Sequence, residues 1–121
     1  MIQKGSTFNI IDNTGVKTIL CIDILNSKIN KIKIEDIIIG VIKNWKKNKL
    51  FKKSMIIKAL VIRCKRSNIY KTGISYKFKD NAAILIDNNK NPIGTRIFGP
   101  IPKIFKEKNY IKIISLVSDF I

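Results

Sequence analysis

Histidine is absent from the 121 residues, cysteine occurs twice, and Asp and Glu together number 8. The missing imidazole removes the commonest general base at neutral pH, the Ser–His nucleophile pair and most zinc ligand sets. The carboxylates do not replace it. Glu35 and Asp36 are adjacent, and on a strand adjacent side chains point to opposite faces, so they cannot work as a pair. Asp12, Asp80 and Asp87 fall among turn residues, where accepting backbone N–H groups is the ordinary role of a carboxylate. Cys21 and Cys64 lie in apolar runs with no second Cys or His nearby, and read as buried thiols rather than as a disulfide or metal ligands. Neither a P-loop nor a dinucleotide fingerprint occurs. The expectation is a protein with no catalytic residue, no metal and no cofactor.

Long apolar spans, lipidation signals and amphipathic basic helices are also lacking, which argues against a membrane partner. No repeat and no Pro-, Gly- or Ser-rich linker divides the chain, so residues 1–121 are expected to form one domain. Met1–Gly5 has neither an apolar signal core nor an Arg- and Ser-rich transit segment, so synthesis in the compartment of use is expected.

Charge and isoleucine are plentiful. Twenty-four Lys and Arg give a formal net charge of +16, more than solubility requires, and a polyanion is the natural counterpart. A hydrophobic fraction of 45% belongs to a chain with a core rather than to a disordered basic tail. The 28 Ile favour strands, because branching at Cβ suits a pleated surface better than a helix. Ile, Lys (21) and Asn (12) have A/T-rich codons while Arg appears only 3 times, a bias pointing to an A/T-rich genome such as that of an organelle or reduced endosymbiont.

Short apolar runs separated by turn signals set the organisation. Thr7–Ile11 and Val16–Leu25 flank Asp12-Asn13-Thr14-Gly15, where Asn and Gly tolerate the positive φ of a tight hairpin turn. Alternation at Ile29–Ile34 follows. Asp36–Lys43 is apolar on both faces, with Gly40 where a barrel strand could bend. Met55–Arg66, Ile74–Lys79 and Ala82–Ile86 read as further strands, Asp87–Pro92 as a turn, Lys103–Lys108 as a short helix and Tyr110–Val117 as strand-like. Strands at this spacing argue for a mainly β chain folded as a small barrel.

Binding signals cluster in two places. Residues 44–54 interleave Lys46, Lys47, Lys49, Lys52 and Lys53 with Trp45, Leu50 and Phe51, as an extended basic hairpin would. The lysines suit phosphates, and Trp45 either stacks on a base or packs within the domain. Arg63, Lys65 and Arg66 end a strand. Retaining Arg in so Lys-biased a chain points to a need for its planar fork of donors. With Asn13 and Lys17 of the first hairpin, these form the candidate RNA-binding set. Arg96, in Pro92-Ile93-Gly94-Thr95-Arg96-Ile97-Phe98-Gly99-Pro100, is expected at the surface if Ile97 or Phe98 anchors the segment in the core.

That nonapeptide resembles the signature of ribosomal protein fourteen of the large subunit. Asp12–Gly15, Cys21-Ile22, Lys58–Arg63, Asp80–Ala83 and Lys112–Leu116 are similar to the family's other motifs, in order, and the resemblance covers the chain end to end. It implies a five-stranded β-barrel with a protruding basic β-ribbon (about 43–58) and a C-terminal region (about 100–121) with a short helix. It also implies binding to large-subunit rRNA at the intersubunit face, a bridge to small-subunit rRNA, and large-subunit proteins three and nineteen as neighbours. A ribosome silencing factor would dock around Thr95, Arg96 and Lys112. Three departures stand out: Glu35 stands where the family usually carries Gly, Ser54-Met55 where it often reads Gly-Asp, and Leu116–Ile121 replaces its usual ending. Lys53-Ser54 and the run 80–87 are more similar to plastid than to mitochondrial members, so a relict plastid is preferred over a mitochondrial matrix, with the protein encoded in the organelle. A free-standing single-strand-binding barrel and an RNA-processing enzyme are the competing readings.

Overall fold

The computed structural model describes residues 5–25, 32, 34–46, 54–64, 68–69, 75–76, 80–102, 105 and 110–117. Its strands are β1 (Thr7–Ile10), β2 (Val16–Ile24), β3 (Ile37–Trp45), β4 (Ile56–Arg63), β5 (Asn68–Ile69), β6 (Ser75–Tyr76) and β7 (Ala82–Ile86). Antiparallel pairing carries β1 to β2, β2 to β3, β3 to β4 and β4 to β7, and β7 closes a five-stranded barrel by pairing parallel with β1. The small β5–β6 ladder lies outside that barrel.

Alternation decides what points inward. Phe8 and Ile10 of β1 and Ile38, Gly40 and Ile42 of β3 are buried at the two-residue period of a strand. On β2 the buried residues are Val16, Ile19, Cys21 and Ile24, and the broken period reflects register shifts at Val16/Thr18, Thr18/Ile19 and Cys21/Asp23. β7 is buried at every position, as a strand covered on both faces must be. Phe8 and Phe105 are both 0% exposed, and burying a side chain of that size contributes about 1.5–3 kcal/mol. Gly40 serves a close approach: a Cβ there would lie 2.8 Å from Ile19 Cδ1 and 3.2 Å from the Leu20 carbonyl oxygen.

Three sequence expectations change. Glu35 is not on a strand but in the turn before β3, at φ +80°. Tyr110–Val117 is not strand-like throughout, because Ile111–Ile114 forms a short helix, α1. Ile residues alternating with Lys112 fit a strand, but the end of the chain must turn to bury Ile113, and packing overrides the weak helix propensity of Ile. A tilted contact between the Phe105 and Tyr110 rings, centroids 5.1 Å apart, fastens this region. Only Val117 keeps strand character, in a parallel bridge to Ile97. Finally, the strand expected over Met55–Arg66 ends at Arg63. Of the helix expected at 103–108 only Phe105, which is helical, is described, and of Ile74–Lys79 only Ser75–Tyr76. Residues 47–53, where the tip of the basic ribbon is expected, lie outside the described residues; on either side of them Ser54 N–H donates to Ile42 O at 2.9 Å.

Candidate nucleic-acid interface

The turn between β1 and β2 is built around Asp12. Its Oδ1 accepts from the Thr14 amide (3.1 Å) and hydroxyl (2.6 Å), and its Oδ2 accepts from the Leu85 amide of β7 (3.0 Å). Only 8% exposed, this carboxyl has its pKa raised above the ordinary 3.8 by burial, against the lowering effect of those hydrogen bonds. One buried side chain thus fixes both the hairpin turn and its seat on the barrel.

The next residue faces outward and meets the nonapeptide. Asn13 Oδ1 accepts from the Thr95 amide (2.8 Å) and the Arg96 amide (3.2 Å), while Nδ2 donates to Thr95 Oγ1 (2.6 Å). Gly94 permits this approach, since a Cβ on it would stand 2.8 Å from Asn13 Oδ1 and 3.1 Å from Asp12 Cβ. The loop then re-enters the fold. Ile97 is 3% exposed, bridges Asp12 and Val117, and donates its amide to Leu116 O, while Phe98 donates to Ile11 O and leaves its ring 52% exposed. Ile97, not Phe98, is therefore the anchor that leaves Thr95 and Arg96 exposed. An open hollow of about 430 Å³ lies between Thr95–Phe98 and Ser115–Val117.

Cations gather around the same turn. Lys46 follows the end of β3 and donates its amide to Gly15 O at 2.6 Å, and Val16 pairs with Trp45. Lys17, Lys46 and Arg96 are exposed, so hydrogen-bonded backbone brings three residues far apart in sequence to one end of the barrel. Trp45 is half-buried and packs against the core. Lys112, exposed on α1, donates to Asn91 Oδ1 at 2.9 Å. Lys43 and Lys90 are further exposed cations that the sequence patterns did not single out; neither falls in a charge run, and only their placement at strand and turn ends marks them.

Arg63 stands apart. Its guanidinium pairs with Asp80 at 3.2 Å and its side chain is 13% exposed. It lies under Gly99, whose φ is +82° and where a Cβ would sit 3.1 Å from Arg63 Nη1. One arm of the fork, Nη2, is thus engaged by Asp80, while the buried Nε makes no hydrogen bond. Lys47, Lys49, Lys52, Lys53, Lys65 and Arg66 lie outside the described residues. Among the described residues no cluster of three metal-ligating side chains occurs, and no helix is long and apolar enough to cross a membrane.

Residues 1–121 match the family described as ribosomal protein L14p/L23e. The chain is also 51% identical, over 122 residues and all of both chains, to the large ribosomal subunit protein uL14c of Eimeria tenella.

Proposed function

The chain belongs to the ribosomal protein L14p/L23e family, whose members are structural components of the ribosome and not enzymes, and from that premise we propose that it serves the large subunit of a plastid ribosome. The match over the full length carries this reading. The relative in Eimeria tenella, a plastid-type protein identical at 51% of positions, supports a plastid, and the A/T-biased composition supports an organelle without distinguishing which. A relict plastid is the compartment proposed, with the gene in the organelle.

Large-subunit rRNA is the principal partner. Lys17 and Lys46, exposed beside the Asp12–Gly15 turn, would meet phosphates, with Lys47, Lys49, Lys52, Lys53, Arg63, Lys65 and Arg66 extending the same function along the expected ribbon and at the end of β4. Phosphate contacts of this kind set register and orientation rather than sequence choice. Thr95 and Arg96, a hydroxyl beside a fork of donors on an anchored loop, form the intersubunit contact to small-subunit rRNA. With Lys112 they are also the docking point for a silencing factor. Large-subunit proteins three and nineteen are the proposed protein neighbours.

Sedimentation tests the reading. The protein should remain with large subunits through a moderate-salt wash, and its release into the soluble fraction would make it a free-standing nucleic-acid binder instead. A reading frame found in nuclear DNA would overturn encoding in the organelle.

A further inference from the structure

We infer that Asn13 is a positioning residue for the Thr95–Arg96 loop, and that its side chain holds that loop in its presenting shape rather than contacting RNA itself. The inference rests on the proposal that Arg96 meets an anionic partner, and adds to it the device that aims Arg96.

The geometry is specific. An amide side chain offers a carbonyl acceptor and an NH2 donor, and both ends of Asn13 are used on one target. The carbonyl caps two consecutive backbone N–H groups, Thr95 at 2.8 Å and Arg96 at 3.2 Å, and the NH2 holds the Thr95 hydroxyl at 2.6 Å. Consecutive N–H groups converging on one oxygen fix the dihedral angles between them, so the direction in which the Arg96 side chain leaves the backbone is set by Asn13. Asn13 is itself immobilised from below, since Asp12 is tied to Thr14 and Leu85 and bridged to Ile97. Gly94 completes the fit, because any larger residue would push against Asn13 Oδ1. These bonds span 82 and 83 residues of sequence at an exposed site, where water could otherwise satisfy each group. Such a clamp lowers the entropy lost when Arg96 is immobilised by a partner.

The variants Asn13→Ala, Asn13→Asp, Arg96→Ala and Asn13→Ala/Arg96→Ala separate the possibilities. Asp keeps an oxygen for the two amides and presents a second oxygen to the Thr95 hydroxyl, which can donate, so it preserves the clamp while adding negative charge. Two readouts are needed: amide hydrogen exchange at Thr95 and Arg96 in the purified protein, and joining of large subunits carrying each variant to isolated small subunits in sucrose gradients. Asn13→Ala should speed exchange at those two amides without changing the barrel strands, and should reduce joining by roughly tenfold, the scale of losing one charge-assisted contact. Asn13→Asp should restore slow exchange and join better than Asn13→Ala, and the double variant should be no worse than Arg96→Ala alone.

Unchanged exchange in Asn13→Ala would overturn the clamp whatever the joining result. Joining weaker in Asn13→Asp than in Asn13→Ala would show that Asn13 faces phosphate directly, overturning the inference. Normal joining in Asn13→Ala with a drop in Arg96→Ala would overturn it while leaving the reading of Arg96 intact. Normal joining in Arg96→Ala would instead overturn the partner contact on which the inference rests.

Discussion

Arg63 and Asp80 form an ion pair of 3.2 Å that joins the end of β4 to the residues entering β7, with Gly99 lying over the guanidinium. This places the two arginines of known surroundings in different roles. Arg63 is a strut between barrel and nonapeptide, whereas Arg96 is held outward on the loop that the strut supports.

Arg63→Ala should therefore destabilise the fold by about 1–3 kcal/mol, through lost stem packing and a carboxylate left without its partner; the partial exposure of Asp80 keeps the figure below that of a fully buried pair. Arg96→Ala should change stability by no more than about 0.5 kcal/mol. Urea titrations of both proteins measure the contrast. Equal midpoints for Arg63→Ala and the unmodified protein would remove the strut.

Ser54→Gly should stabilise the protein. Ser54 has φ +66° and Glu35 φ +80°, a region that costs an L-residue roughly 1–2 kcal/mol, part of which is returned by the greater unfolded-state freedom of Gly. A net gain of about 0.5–1 kcal/mol is expected for exposed Ser54. Glu35→Gly should gain in the same direction, its φ being positive as well. A β-branched residue at position 54 should reverse the sign, and an unfolding midpoint unchanged across Gly, Ser and Val would refute the strain.

The pH dependence set by Asp12 runs opposite to that of a surface carboxylate. Burial raises its pKa above 3.8, so the folded protein holds this proton more tightly than the unfolded chain does. The stabilisation is fully present below the unfolded value and is lost as pH rises through the raised folded value. Asp12→Asn, which cannot titrate, should be less stable by about 1–3 kcal/mol, because the Leu85 or Thr14 amide loses an acceptor. Its deficit relative to the unmodified protein should narrow as pH rises across that window. A deficit that widens would mean the carboxyl pKa is lowered.

RNA binding by the free protein should be tight and steeply salt-dependent, with log affinity falling against log salt by about 0.7–0.9 for each phosphate neutralised. Replacing Lys46, Lys47, Lys49, Lys52 and Lys53 by Gln should flatten that slope and leave the circular dichroism spectrum of the barrel in place. A slope unchanged in the variant would move the RNA contacts away from the ribbon.

Much of the barrel was legible because its signals are local. Phe8 and Ile10, then Ile38 and Ile42, keep a strand period, and Asp12–Gly15 carries its turn chemistry in four consecutive residues. The bulges of β2 were not legible, since a register shift is decided by the partner strand. The resemblance gave the short helix of the C-terminal region, which α1 is, but periodicity could not place it: four residues cannot express a helical period, and Ile113 turns inward to a core that holds Ile97 and Phe105. At the site, motif matching marked both Asn13 and Thr95, but nothing local to either says that they touch. Arg63 was singled out for its unusual residue type, a signal of geometric need that did not reveal its pairing with Asp80 across the sheet. Glu35 and Ser54 were visible as departures from a usual glycine, and the positive φ at both positions supplies the reason glycine suits them.

Of the five barrel strands, the one that closes the barrel is the last to be made. β7 lies between β4 and β1, antiparallel to one and parallel to the other, so until Ile86 has left the ribosome synthesising it the facing edges of β1 and β4 have no partner strand. Folding therefore has a threshold in chain length rather than a gradual course: arrested nascent chains should become protease-resistant in one step, once β7 is free to enter. Before that step the lysines and the strand-forming segments of the nascent polycation are both unpartnered, and premature pairing, with another nascent chain or with stray RNA, is the hazard that this topology creates during synthesis.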